Sequence, residues 1–360
     1  MLQARARSRA RRHDRRAVGV FHEVAAAADP RRPRPSGRGG LHPGRGSEDP
    51  WRAGRGLTVR DRLVHGTGYW AWRAAAVLAQ RLPAWVSYRA AIAGGEMAYL
   101  LWPKRRRIAK ENLAVVLARP PQDVEVARIA RRSFRNFAKY LVEIMRFPRL
   151  RMDELQRMVA IDPRSWSNLR AAREHGRGVI FVSLHFGNFE MGGARIADEM
   201  PLNVIADELE NQRLMDLLVT NRAHKNVHIL TPEGSVKRVL QALRRNEMVG
   251  LLMDLGPRAK ELDHVQATFF GEPTSFPTIA ANLARVSGAP IVVAAVTRER
   301  DNTFRGVALP PIFVERTRQT ARDIEHATQA IVHGLEQFVR GDPDQWYIFR
   351  PMWPVPERAD

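Results

Sequence analysis

A histidine followed five residues later by a glutamate, His185 and Glu190, is the pair in this sequence best suited to moving a proton. An imidazole exchanges a proton near neutral pH, and a carboxylate beside it fixes its tautomer and stabilises the imidazolium. Such a pair activates a hydroxyl for attack on an acyl carbon. Between the two lie Gly187, which permits a sharp turn, and Asn188, a favoured helix cap. Backbone amides at the start of the helix that follows would bind an anion or a developing oxyanion. An H-x4-E spacing alone arises often by chance, so its position in the fold decides its meaning.

That position is set by the elements around it. Residues 178–184 are an apolar, β-branched run that reads as a buried strand, and residues 189–200 read as a helix. Downstream, strands at 202–205, 227–230, 249–253 and 291–296 alternate with helices at 211–224, 236–245 and 278–287, and a long helix covers 320–340. Upstream, helices are expected at 122–145 and 163–175. This alternation predicts an α/β fold, a mixed, mostly parallel sheet flanked by helices. Ligands in such sheets bind at the carboxyl ends of strands, where His185 falls.

The 360-residue chain contains no cysteine, which removes disulfides, thiolate metal sites and thiol nucleophiles. His224 and His228 make no recognisable ligand spacing with His185, so no metal and no cofactor are expected. A net charge of +20 attracts polyanions: nucleic acid, anionic lipid headgroups or an acidic carrier protein. The aromatic residues follow no RNA-binding signature, and nucleic acid is not the expected partner. Residues 1–56 are rich in Arg, Pro, Gly and Ala without apolar periodicity and read as a disordered basic arm. In residues 57–102, Trp70, Trp72, Trp85, Tyr88, Tyr99 and Trp102 interleave with Arg73, Arg81 and Arg89, and Pro83 splits the region into two helices. Neither helix offers the roughly 18 uncharged residues needed to span a bilayer. Their mixture of rings and cations suits a membrane interface. Residues 103–353 form the main domain and 354–360 a tail.

The block Val179-Ile-Phe-Val-Ser-Leu-His-Phe-Gly-Asn-Phe-Glu-Met-Gly-Gly193 resembles the signature of the bacterial lipid A late acyltransferases and of the related phosphatidylinositol mannoside acyltransferases. Both belong to the lysophospholipid acyltransferase superfamily, marked by H-x4-D/E. Other blocks agree in order: Arg107-Ile-Ala-Lys-Glu-Asn112, the segment from Asn211 to Arg222, Val249-Gly-Leu-Leu-Met-Asp254, Thr268-Phe-Phe-Gly-Glu-Pro273, and Trp346-Tyr-Ile-Phe-Arg350. The chain departs from many lipid A enzymes in carrying Asp254-Leu255 where they have Asp-Gln.

The resemblance implies a glycerol-3-phosphate acyltransferase-like fold with His185 as general base and Glu190 as its charge partner. It points to Asn188, Arg222, Asp254, Glu272 and Arg350 as substrate-binding residues, with Arg222 a phosphate contact. The implied protein is a peripheral acyltransferase on the cytoplasmic face of the cell membrane. Its donor is acyl carrier protein or coenzyme A, and its acceptor is a lipid or glycolipid hydroxyl. Two rival classes are a basic nucleic-acid-binding protein and an inactive scaffold of this fold.

Overall fold

A computed structural model describes residues 59–205, 225–230 and 235–354. The described residues begin with two helices, α1 (Val59–Arg81) and α2 (Ala84–Leu101), interrupted at Pro83 as its missing amide requires. They are followed by α3 (Pro103–Leu117) and α4 (Val124–Arg146). Asp123 caps α4 by accepting the Glu125 amide at 2.7 Å. The apolar stripe of α4, with Val126, Ile129, Ala130 and Phe134 buried, packs against Ala109 and Leu113 of α3.

The α1–α2 pair is fixed to α4 at three levels. At Gly95 the helices approach so closely that an added Cβ would stand 2.7 Å from the carbonyl oxygen of Phe134. One residue on, Glu96 pairs with Arg131 and Arg135. At the far end, Gln80 donates to the Met145 carbonyl at 2.7 Å, and Arg146 donates to the carbonyls of Ala79 and Leu82.

The rest of the chain builds the sheet and its covers. In order these are α5 (Met152–Met158), β1 (Val159–Ile161), α6 (Pro163–Glu174), β2 (Val179–Ser183), α7 (Phe189–Ala197), β3 (Leu202–Ile205), β4 (Val227–Leu230), α8 (Ser235–Arg244) and β5 (Met248–Leu252). There follow the hairpin β6 (His264–Phe269) and β7 (Glu272–Pro277), then α9 (Ile279–Ser287), β8 (Ile291–Arg298), β9 (Phe304–Ala308) and α10 (Thr320–Gly341). Seven strands run in the order β1-β9-β8-β2-β5-β3-β4, with every neighbouring pair parallel except β8–β9.

Both faces of this sheet are covered, which explains its continuous apolar runs. Along β8, Ile291, Val293 and Ala295 enter the core that also holds Leu283 of α9 and Ile331 and Leu335 of α10. The alternate residues Val292, Ala294 and Val296 enter the opposite core, with Leu155, Leu169 and Met191 from α5, α6 and α7.

The expected mixed, mostly parallel sheet is present. The short edge strand β1, the antiparallel β9 and the β6–β7 hairpin are additions to the sequence reading. The basic arm, the helix expected at 211–224 and Arg222 lie outside the described residues. No helix among the described residues is long and apolar enough to cross a membrane.

Candidate active site

Strands β2 and β5 are parallel neighbours, and their register sets Ser183 opposite Leu252. Two residues past those strand ends stand His185 and Asp254, so the register brings imidazole and carboxylate together. His185 Nδ1 lies 2.8 Å from Asp254 Oδ1, and the His185 backbone amide donates to Asp254 Oδ2 at 3.0 Å. Because an ionised carboxylate only accepts, the proton on this contact belongs to Nδ1. Nε2 is left as the basic nitrogen. The His185 side chain is 33% exposed and that of Asp254 0% exposed. Among the described residues no group is hydrogen-bonded to Nε2.

Asp254 is held from further directions. Trp346 Nε1 donates to its Oδ2 at 3.0 Å, and Arg350 Nη2 donates to its backbone carbonyl at 3.0 Å. Burial alone would raise the Asp254 pKa. The His185 charge and hydrogen bonds, together with Arg350, outweigh it and hold the carboxyl below the usual aspartate range.

The turn after His185 is equally constrained. Gly187 has φ of +56°, and a Cβ there would fall 1.6 Å from the carbonyl oxygen of Val296, so only glycine fits. Its amide donates to the Gln345 carbonyl at 2.9 Å, and Tyr347 donates its amide to the His185 carbonyl at 2.8 Å. Asn188 then caps α7, its Oδ1 accepting the Met191 amide at 3.0 Å. Its Nδ2 donates to Glu143 Oε2 at 2.7 Å. Rings shield one side of the imidazole: Phe189 meets His185 edge-on at 5.6 Å, Tyr140 packs on Phe189 at 5.3 Å, and Tyr347 packs on Tyr140 at 5.8 Å.

The carboxylate hydrogen-bonded to His185 Nδ1 is Asp254, which sheet register brings to the ring, while the turn carries Glu190 onward into α7. Glu190 lies half-buried in the first turn of that helix. Asp254 and Asn188 are both 0% exposed, Asp254 bonded to His185 and Trp346 and Asn188 to Met191 and Glu143. Arg350 clamps Asp254. Glu272 is exposed at the start of β7, after the tight turn at Phe270 and Gly271.

Two residues with clear roles escaped the sequence reading. Trp346 was visible only as part of a family block, and Glu143 gave no signal beyond an acid on the apolar side of a helix. Glu143 and Met191 also line a cleft of about 350 Å³, whose other walls include Arg146, Arg157 and Met158.

The family model described as bacterial lipid A biosynthesis acyltransferase matches residues 58–354. The phosphatidylinositol mannoside acyltransferase of Mycolicibacterium smegmatis is 27% identical over 252 residues, covering 68% of this chain and 78% of its own. Two Escherichia coli proteins are also similar. The lipid A biosynthesis lauroyltransferase is 23% identical, covering 69% of this chain and 81% of its own, and the palmitoleoyltransferase is 24% identical, covering 58% and 66%.

Proposed function

Because the chain belongs to the bacterial lipid A biosynthesis acyltransferase family, and is therefore an acyltransferase, we propose that it moves a fatty acyl group from a thioester to a lipid hydroxyl at a membrane surface. The donor is acyl carrier protein or coenzyme A, and the acceptor resembles a phosphatidylinositol mannoside or a lipid A precursor. The observation that carries this reading is His185 at a strand end, one-third exposed, with its Nδ1 on buried Asp254 and its Nε2 bonded to no described residue.

In this mechanism Nε2 takes the proton of the acceptor hydroxyl as its oxygen attacks the thioester carbonyl carbon. A tetrahedral oxyanion forms. As it collapses, the carbon–sulfur bond breaks, the ester remains, and the imidazolium returns its proton to the leaving thiolate. Asp254 stabilises the imidazolium between these steps. Glu190, in the first turn after the histidine, adds negative charge to the same region. The transfer is direct, since the chain has no cysteine and, among the described residues, no serine is hydrogen-bonded to His185.

The surface of α1 and α2 supports a membrane setting. Trp70, Trp85, Leu100, Leu101 and Trp102 are exposed, Arg73, Arg81 and Arg89 stand among them, and Arg89 lies 5.1 Å from the Trp85 ring centre. Rings and leucines enter the headgroup boundary while arginines meet anionic phosphates. An arginine arm that binds nucleic acid would explain the charge but not the His185–Asp254 pair.

The test supplies purified protein with acyl carrier protein and coenzyme A thioesters of one chain length. Vesicles carry either glycolipid acceptor, and products are read by mass spectrometry. One thioester should yield an acylated lipid, and His185→Ala should lower the rate by about 10³-fold without loss of folding. Failure of the folded protein to acylate either acceptor from either thioester, or near-normal turnover by His185→Ala, would sink this reading.

A further inference from the structure

A second buried carboxylate is bonded to the catalytic turn. Glu143 of α4 is 2% exposed. It accepts the Asn188 amide at 2.7 Å, the Tyr88 phenol at 3.0 Å, Arg298 Nη2 at 2.8 Å, and Arg298 Nη1 as well. Each donor comes from a different element. Tyr88 lies on α2, Arg298 ends β8, and Asn188 is the cap of α7, three residues after His185. Arg298 in turn exchanges two hydrogen bonds with Gln345, its amide donating at 2.7 Å and its carbonyl accepting at 2.9 Å. Gln345 accepts the Gly187 amide and precedes Trp346, which holds Asp254. Glu143 thus supports the His185–Asn188 turn twice, directly through Asn188 and indirectly through Arg298 and Gln345 at Gly187.

Tyr88 adds a connection to the surface. It shares α2 with Trp85, Leu100 and Leu101, all more than half exposed. Burial and the Glu143 charge push its phenol above the ordinary tyrosine range, so it stays a donor at working pH. Other contacts of α2 with α4, at Gly95, Glu96 and Tyr99, are packing, ion pairs and a hydrogen bond to the Ala127 carbonyl, and none of these touches Glu143 or Asn188.

We propose that Glu143 is a positioning residue for acyl transfer, acting through Asn188 on the His185 turn, and that Tyr88 links it to the helix whose outer face meets the lipid surface. The proposal rests on His185 being the base. Seating of α2 on α4 then governs how well the turn is held, and α2 contributes to turnover as well as to attachment. Glu143→Gln is a poor test, since it leaves the Arg298 charge buried without a counter-charge and threatens the fold itself. Tyr88→Phe removes one oxygen and keeps the ring. Asn188→Ser keeps the capping chemistry but is too short to reach Glu143.

The experiment measures kcat and KM on vesicle-borne acceptor, vesicle co-sedimentation and the unfolding midpoint for wild type, Tyr88→Phe, Asn188→Ser and the double variant. Tyr88→Phe is expected to lower kcat about threefold to tenfold while KM, co-sedimentation and the midpoint hold. The double variant should be no slower than Asn188→Ser alone, since both break one chain of contacts. Unchanged kcat in Tyr88→Phe overturns the proposal and leaves α2 an anchor only. Losses that multiply in the double variant, or a loss confined to KM and co-sedimentation, overturn it equally. His185→Ala in the same assay separates the two ideas: if it turns over normally, the assignment of the base has failed and not the link through Glu143.

Discussion

Two buried carboxylates hold the two ends of one turn. Asp254 grips His185 at its start, and Glu143 grips Asn188 three residues later. Both are sealed from water, at 0% and 2% exposure. They differ in the cation each faces. Glu143 meets Arg298, whose pKa burial would lower and Glu143 drives higher, so the guanidinium stays charged under all working conditions. Asp254 meets an imidazole that is one-third exposed and able to gain and lose a proton. A permanent pair fixes geometry, whereas a pair with one titratable, accessible member does chemistry. In the proposed mechanism, two carboxylates at the same depth thus serve two purposes, each decided by its partner.

That contrast can be broken by substitution. Asp254→Asn keeps the shape but presents no charge to the imidazolium and can turn an amide N–H toward Nδ1. It should lower kcat by about 10³-fold, roughly 4 kcal/mol in barrier, in a steady-state transfer assay. Its effect on the unfolding midpoint should be much smaller than its effect on rate.

Glu143→Gln should do the reverse. Leaving Arg298 buried and uncompensated costs about 3 kcal/mol or more of stability in urea unfolding. Replacing both partners by apolar residues, Glu143→Leu with Arg298→Met, should recover much of that stability without restoring full kcat, because the bond to Asn188 is gone. Equal losses of rate and stability in both single variants would erase the distinction.

A smaller effect concerns acid. The folded pKa of Asp254 lies below its ordinary value of about 3.9. Its contribution to stability is therefore complete above that value and disappears as pH falls through the lower, folded one. Unfolding curves of wild type and Asp254→Asn should differ at neutral pH and converge well below pH ~4. A difference that persists unchanged at the acid end would show that the carboxylate charge is not what stabilises the site.

The sheet was largely legible because parallel strands buried on both faces write uninterrupted apolar runs. Residues 179–182 and 291–296 are of this kind. The turn was legible too, since Gly187 and Asn188 follow local rules of conformation and capping. The histidine's partner was not, because its contact spans 69 residues and depends on how two strands align. A trace of it existed in the sequence: each apolar run is followed, after one more apolar residue, by a single polar one, His185 after Leu184 and Asp254 after Met253. Setting those runs side by side in parallel yields the pair, whereas reading along the chain favours the nearer Glu190. Glu143 was hidden for another reason. Its helix shows a strong apolar stripe, and one acid within it carries no local mark of the arginine that arrives from the end of β8.

The claim that His185 and Asp254 act as a unit is tested most directly by a double-mutant cycle in single-turnover acyl transfer. Wild type, His185→Ala, Asp254→Asn and the double variant would be compared at saturating thioester and acceptor. If Asp254 works only through the imidazole, the double variant should be no slower than His185→Ala, with the roughly 10³-fold cost of Asp254→Asn vanishing in that background. Costs that multiply across the two sites would contradict the account.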